Sequence, residues 1–176
     1  MRFFPLFLLL IAAPAFAQHT GHHAGHHTVE SAEEAPMHRS LSPQEAEGLL
    51  MGRGMGLAKA AEMNGYPGPM HVLELQDELA LTPEQVSEAE RLMREIKAEA
   101  RGLGEQIVAH ERALDEAFAQ GRATPRLVDA MTAEIGALRG RLRAAHLKAH
   151  LAMREALTEE QSARYMVLRG HRPATD

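Results

Sequence analysis

Residues 86–117 read VSEAERLMREIKAEARGLGEQIVAHERALDEA, and their spacing decides the fold. Apolar or small residues stand at Val86, Ala89, Met93, Ile96, Ala100, Leu103, Ile107, Leu114 and Ala117, with His110 in the same stripe. The intervals alternate between three and four residues, which is the signature of one long helix with an apolar seam facing a partner helix. Gly121-Arg122-Ala123-Thr124-Pro125 ends that helix and opens a second, with Thr124 as N-cap and Pro125 at the first helical position. The second seam runs Met131, Ile135, Leu138, Leu142, Ala145, Ala149, Ala152 and Ala156. It thins to alanine at its C-terminal end, where a neighbouring helix can approach closely. The expected fold is all-α, a long antiparallel helical hairpin with short flanking helices. A first helix over 83–120 is about 57 Å long at 1.5 Å per residue. Two helices of that length do not bury all their faces against each other, so a second hairpin from another copy is expected, giving a homodimer.

Composition agrees and excludes alternatives. The 176 residues are 45 % apolar but only 4 % aromatic, which argues against β-sandwiches and barrels. There is no Cys, which removes disulfide scaffolds, Cys-based zinc sites, iron–sulfur clusters and thiol catalysis. A net charge of −5 carries no basic footprint for nucleic acid. Gly52-Arg53-Gly54-Met55-Gly56 is no phosphate loop, because it lacks the Lys-Ser/Thr ending and a preceding strand. No Ser/His/Asp constellation or paired-carboxylate motif stands out, so neither an enzyme nor an organic cofactor is expected. Two counts are unusual, 11 His and 10 Met, and both residue types bind metals.

The chain opens MRFFPLFLLLIAAPAFAQ. Arg2, the apolar run from Phe3 to Pro14, and Ala15-Phe16-Ala17 read as a secretory signal peptide over 1–17. The run is shorter than the roughly 20 residues of a spanning helix, so no membrane span is expected after cleavage. The expected location is the periplasm. Residues 18–42 read as a disordered His-rich tail, 43–172 as the helical-hairpin domain, and 173–176 as a C-terminal tail. Within the domain, 43–64 are helix-like but interrupted by Gly48, Gly52, Gly54 and Gly56, a weak helix or a close-packing strip. Gly65-Tyr66-Pro67-Gly68-Pro69 is a break, and Met70 to Leu79 is a short amphipathic helix.

Leu81-Thr82-Pro83-Glu84-Gln85 recurs as Leu157-Thr158-Glu159-Glu160-Gln161. Each copy is a helix start, with Thr as N-cap, Gln completing a capping box, and acidic residues in the first turn. Two such boxes bracketing a long hairpin behind a signal peptide resemble the Spy/CpxP superfamily of periplasmic LTxxQ-motif proteins, in its heavy-metal sensor and resistance branch. The resemblance covers about residues 49–170, including GLAKAAEMNGYPGPMHVLEL and AAHLKAHLAMREALTEEQSARYMVLRG. It implies a hook-shaped protomer in an intertwined dimer. It also implies a metal-responsive sensor or resistance protein, an ATP-independent chaperone for unfolded client proteins, or both.

Two sets of residues are candidates for a transition metal such as Cu, Zn or Ni. The first is His19, His22, His23, His26 and His27, with His38 beyond; imidazoles in a flexible segment suit borderline divalent ions with loose selectivity. Response to pH is the competing use of such a tract. The second is His146, His150 and Met153, at i, i+4 and i+7 on one helix face, with Met93 brought near His150 by the hairpin. The resemblance implies a His and a Met one turn apart before the second box: Met153 falls on the Met position, while Ala149, next to His150, stands at the His position. The plainer reading makes Met93 and Met153 core packing and the His pair a partly exposed face. His110 reads as a buried or interface residue, His71 with Glu74 and Glu78 as a weaker candidate, and Arg139, Arg141 and Arg143 as a solvated face. A further reading is a passive helical dimer partner that regulates an envelope signalling protein, without metal or chaperone activity.

Overall fold

Thr82 and Thr124 start the two long helices as their positions predict. The Thr82 hydroxyl accepts the Gln85 amide at 3.2 Å and the Thr124 hydroxyl accepts the Leu127 amide at 3.3 Å, with proline opening each first turn. In the computed structural model, which describes residues 40–171, six helices follow one another: α1 (Pro43–Leu50), α2 (Lys59–Glu62), α3 (Pro69–Glu74), α4 (Pro83–Ala119), α5 (Pro125–Ala156) and α6 (Glu159–Leu168). The expected signal segment, nearly all of the His-rich tail and the last five residues lie outside the described part. No strand occurs among the described residues, and no described helix is long and apolar enough to cross a membrane.

The long helices α4 and α5 form the antiparallel hairpin, turning at Gly121 with φ +64°. The buried stripe of α4 is broader than the expected seam. Leu92 is fully buried while Met93 is only partly so, Gly104 and Val108 join the stripe, and His110 and Leu114 are half-buried. The cause is that α4 has neighbours on more than one side, packing against α1 and α3 as well as α5. Part of the surface that the sequence assigned to a second copy is therefore covered by the chain itself. The apolar residues fall into two clusters. One joins Leu41, Ala46 and Leu49 to Ile96, Leu103, Ile107, Leu138 and Leu142. The other gathers Val72, Leu79, Ala89, Leu92, Met153, Leu157, Tyr165 and Met166.

Residues 43–64 resolve into both expected alternatives. The segment is helical to Leu50 and again over α2, and between them Gly52 serves close approach, since a Cβ there would stand 3.0 Å from the Lys97 carbonyl oxygen of α4. A Cβ on Gly104 would overlap the carbonyl of Leu49, so α1 lies backbone against backbone on α4. Arg139 is solvent-exposed in part but does more than face water. It bridges Glu45 of α1 and Glu111 of α4 at 3.0 Å each, closing the same junction.

The repeated pentapeptides do more than cap. Each is a complete capping box, and their glutamines also meet one another. Gln85 Nε2 donates to Gln161 Oε1 at 2.8 Å, and Gln161 Nε2 donates to Gln85 Oε1 at 2.9 Å. Gln85 also donates to the Ala156 carbonyl and Gln161 to the Leu79 carbonyl. The starts of α4 and α6 are thereby tied together across 76 residues of chain.

Candidate functional site

Between α1 and α3 the chain crosses the hairpin as a strap, residues 51–68, whose regular structure is limited to the one turn of α2. Gly52 and Gly56 hold φ values of +65° and +77°, and Met55 between them holds +42°, which few residues other than glycine adopt. The strap encloses a cavity of about 720 Å³ against α4 and α5, lined by Met93, Ile96 and Lys97 on α4 and by His146, Ala149 and His150 on α5. The strap and the start of α3 contribute Met51, Met55, Met63 and Met70, and Glu62, His71, Arg169 and His171 close one end.

The two imidazoles sit in different surroundings. His150 Nδ1 lies 2.8 Å from the Tyr66 carbonyl. A carbonyl only accepts, so Nδ1 is the donor nitrogen of this contact and Nε2 is the nitrogen left over for another partner. Gly68 makes room for that edge of the ring, since a Cβ there would stand 2.8 Å from Nε2 and Cε1. His146 is 9 % exposed, its Nε2 is buried without a hydrogen-bond partner, and Gly54 of the strap lies beside its ring. Burial, followed by the neighbouring His150, lowers the His146 pKa against a smaller opposing pull from Glu99, so the ring is held neutral. Neutral imidazole is the form that binds a metal, and a ring nitrogen anchored on a backbone carbonyl is the usual support for a ligating partner nitrogen.

The structure thus brings together three of the four helical candidates: His146, His150 and Met93 share the cavity wall. Met153 is not among them. It is fully buried in the cluster with Val72 and Tyr165, where its thioether packs the core. His71 turns away from Glu74 and Glu78 to a polar latch built on Glu62. Glu62 Oε1 accepts the Tyr165 hydroxyl at 2.6 Å and faces His71 Nδ1 at 3.2 Å and Arg169 Nε at 3.4 Å. Burial works to raise the Glu62 pKa, but the Tyr165 hydrogen bond and the charges of His71, His150 and Arg169 outweigh it and hold the carboxylate low. The same burial and partner push the Tyr165 hydroxyl far up, so it stays a donor. This latch ties α2 to α3 and to the end of α6.

Sequence reasoning missed Met51, Met55, Met63, Met70, Glu62 and His171 as residues of this cavity, and held His71 only as a weaker candidate beside Glu74 and Glu78. Met51, Met55, Met63 and Met70 are spread over the ends of short helices and the irregular chain between them, so helical spacing does not relate them; their concentration in a glycine-rich stretch was the available signal. Among the described residues, no group of three His, Cys, Asp or Glu side chains stands ready to hold a metal. The tail histidines from His19 to His27, with His38, lie outside the described residues. No curated protein and no solved structure matches the chain significantly. The family model for heavy-metal resistance matches residues 54–164, from the strap through both long helices into α6. That span is most of the chain and contains His71, His146 and His150 of the cavity and most of its methionines, and the chain belongs to the heavy-metal resistance family.

Proposed function

We propose that this is a heavy-metal-binding sensor or resistance protein of the periplasm, exported by residues 1–17, that takes its ion into the cavity under the strap. The observation that carries the reading is the buried, unpartnered Nε2 of His146 beside a His150 whose Nδ1–H is anchored on the Tyr66 carbonyl. A buried polar atom without a partner costs about 1–3 kcal/mol, and a bound cation supplies the missing partner. The ion here is the protein's ligand, and no reaction is assigned to it. The tail imidazoles provide a second, looser binding segment that raises the local metal concentration. A homodimer is part of the proposal, formed on hairpin surface that α1 and α3 leave open.

The test is calorimetry of the full chain with Cu(I), Cu(II), Zn(II) and Ni(II), in a background where the six tail histidines are Asn. His146→Ala with His150→Ala weakens binding at least about tenfold, since even supporting residues around a metal are worth that much. Unchanged affinity for every ion sinks the reading. The client-binding alternative draws support from Phe118 and Leu151, exposed at 59 % and 50 %. It predicts that the metal-free protein suppresses aggregation of a denatured client and that Phe118→Ser reduces this.

A further inference from the structure

The strap methionines carry the reading further, to the kind of ion. Met51, Met55, Met63 and Met70 are 46–50 % exposed, and all four line the cavity that holds His146 and His150. Seven large apolar side chains are exposed among the described residues, and these are four of them, so the clustering is not the ordinary scatter of surface apolar residues. Met55 keeps a side chain at φ +42° between two glycines, where glycine would relieve the strain. Its sulfur occupies the space that a Cβ on Gly48 would fill, so that glycine makes room for a thioether.

The oxygen side of the cavity is poor. Its one carboxylate, Glu62, is already engaged by Tyr165, His71 and Arg169, and Arg53, Lys59 and Lys97 add positive charge around the wall. A hard or borderline divalent ion finds no set of three His, Asp or Glu here. Thioethers and imidazoles are the donors of a soft ion of low charge.

Building on the proposed metal-binding role, we infer that the cavity is a site for a soft monovalent cation, Cu(I) or Ag(I), with thioethers of the strap closing over the imidazoles of His146 and His150. The unbranched methionine side chains give the strap the reach to close. Loading pins the strap to the hairpin, which turns ion binding into a change in the mobility of residues 51–68. A peptide-binding groove would also use exposed methionines, but it gives no reason for an unpartnered buried imidazole or for a glycine fitted to the His150 ring.

The test titrates Ag(I), which is diamagnetic, into the full-length protein carrying 13C-methyl methionine. The expected result is that the methyl signals of Met55, Met63 and Met70 shift together while that of Met153 stays. The triple variant Met55→Leu/Met63→Leu/Met70→Leu, with far-UV circular dichroism confirming its helices, loses at least roughly 100-fold in Ag(I) and Cu(I) affinity and keeps its Zn(II) affinity. Hydrogen exchange in the strap slows when Ag(I) is added to the parent and not when it is added to the triple variant. Strap methyls that do not respond to Ag(I), or a triple variant that holds Ag(I) as tightly as the parent, overturns the inference. If His146→Ala/His150→Ala still weakens Zn(II) or Cu(II) in that event, the metal-binding role stands and only the thioether site falls. If a denatured client moves the strap methyls and Ag(I) does not, the surface binds polypeptide and the inference is likewise overturned.

Discussion

Replacing Gly104 by Ala sets two well-measured effects against each other. Alanine inside a helix is worth about 0.5–1 kcal/mol over glycine. At Gly102, Gly136 and Gly140 a Cβ meets nothing within 4 Å, so each Ala variant there gains about that much. At Gly104 the Cβ overlaps the carbonyl oxygen and carbon of Leu49, which cannot rotate away as a side chain would, so α1 itself must move. What α1 holds in place is the burial of Leu41 and Leu49, each worth about 1.5–3 kcal/mol. Complete undocking would forfeit about 3–6 kcal/mol, and a partial shift costs about 1–3 kcal/mol as overpacking. We take about 3 kcal/mol for a backbone clash and subtract about 1 for the better helix former, which leaves Gly104→Ala about 2 kcal/mol less stable. For a chain of this size that lowers Tm by about 4–8 °C. Thermal unfolding by far-UV circular dichroism, run beside Gly102→Ala, reads the difference. A Gly104→Ala protein that gains stability as Gly102→Ala does would show that α1 does not rest on α4 at Leu49. The junction between the strap's first anchor and the hairpin would then be wrong.

Three further outcomes follow from the same contacts. A double-mutant cycle on Gln85→Ala and Gln161→Ala yields a coupling of about 0.5–3 kcal/mol in urea unfolding, because the two amides bond reciprocally; additive effects would mean that the two boxes act separately. Gly68→Ala places a methyl 2.8 Å from the His150 ring without backbone strain, since Gly68 has φ −86°. It should weaken metal binding about 10-fold while leaving helix content unchanged, and equal affinity in calorimetry would remove His150 from the site. Glu62 has a folded-state pKa below its ordinary 4.5, so the unfolded chain takes up the proton first as pH falls. Its contribution is full above pH 4.5 and is lost below it as the folded carboxylate titrates. Acid unfolding of Glu62→Gln should therefore be less steep in that window than that of the parent, and coincident acid limbs would mean that the latch adds no charge-dependent stability.

The long helices could be read directly, because a helix start and an apolar period are local properties. Thr82, Thr124 and Thr158 cap where the pattern puts them, and the spacing from Val86 to Ala117 requires a helix whatever it packs against. The pairing of His146 with His150 and the approach of Met93 were also legible, since they need only helical spacing and the position of the turn. Met153 was misleading for the same reason. It shares the helical face of the histidines in sequence, but α3 and α6 close over that end of α5 and absorb it into the core.

The sequence by itself determined the long helices, the hairpin and a list of metal-prone residue types, while the helix expected over Met70 to Leu79 is observed over Pro69–Glu74. Only the tertiary structure decided which of those residues share a site. Met51, Met55 and Met63 lie on the strap and Met70 on α3, so no period relates them to α5; they meet its histidines because Gly104 lets α1 dock, Gly68 admits the His150 ring, and the Glu62 latch fixes the far end. The reciprocal bonds between Gln85 and Gln161 arise the same way, from two locally satisfied caps that the closing of the chain brings into contact. Contacts across 76 to 103 residues of chain carry no local signature, because each partner is already a plausible capped or solvated residue where it stands.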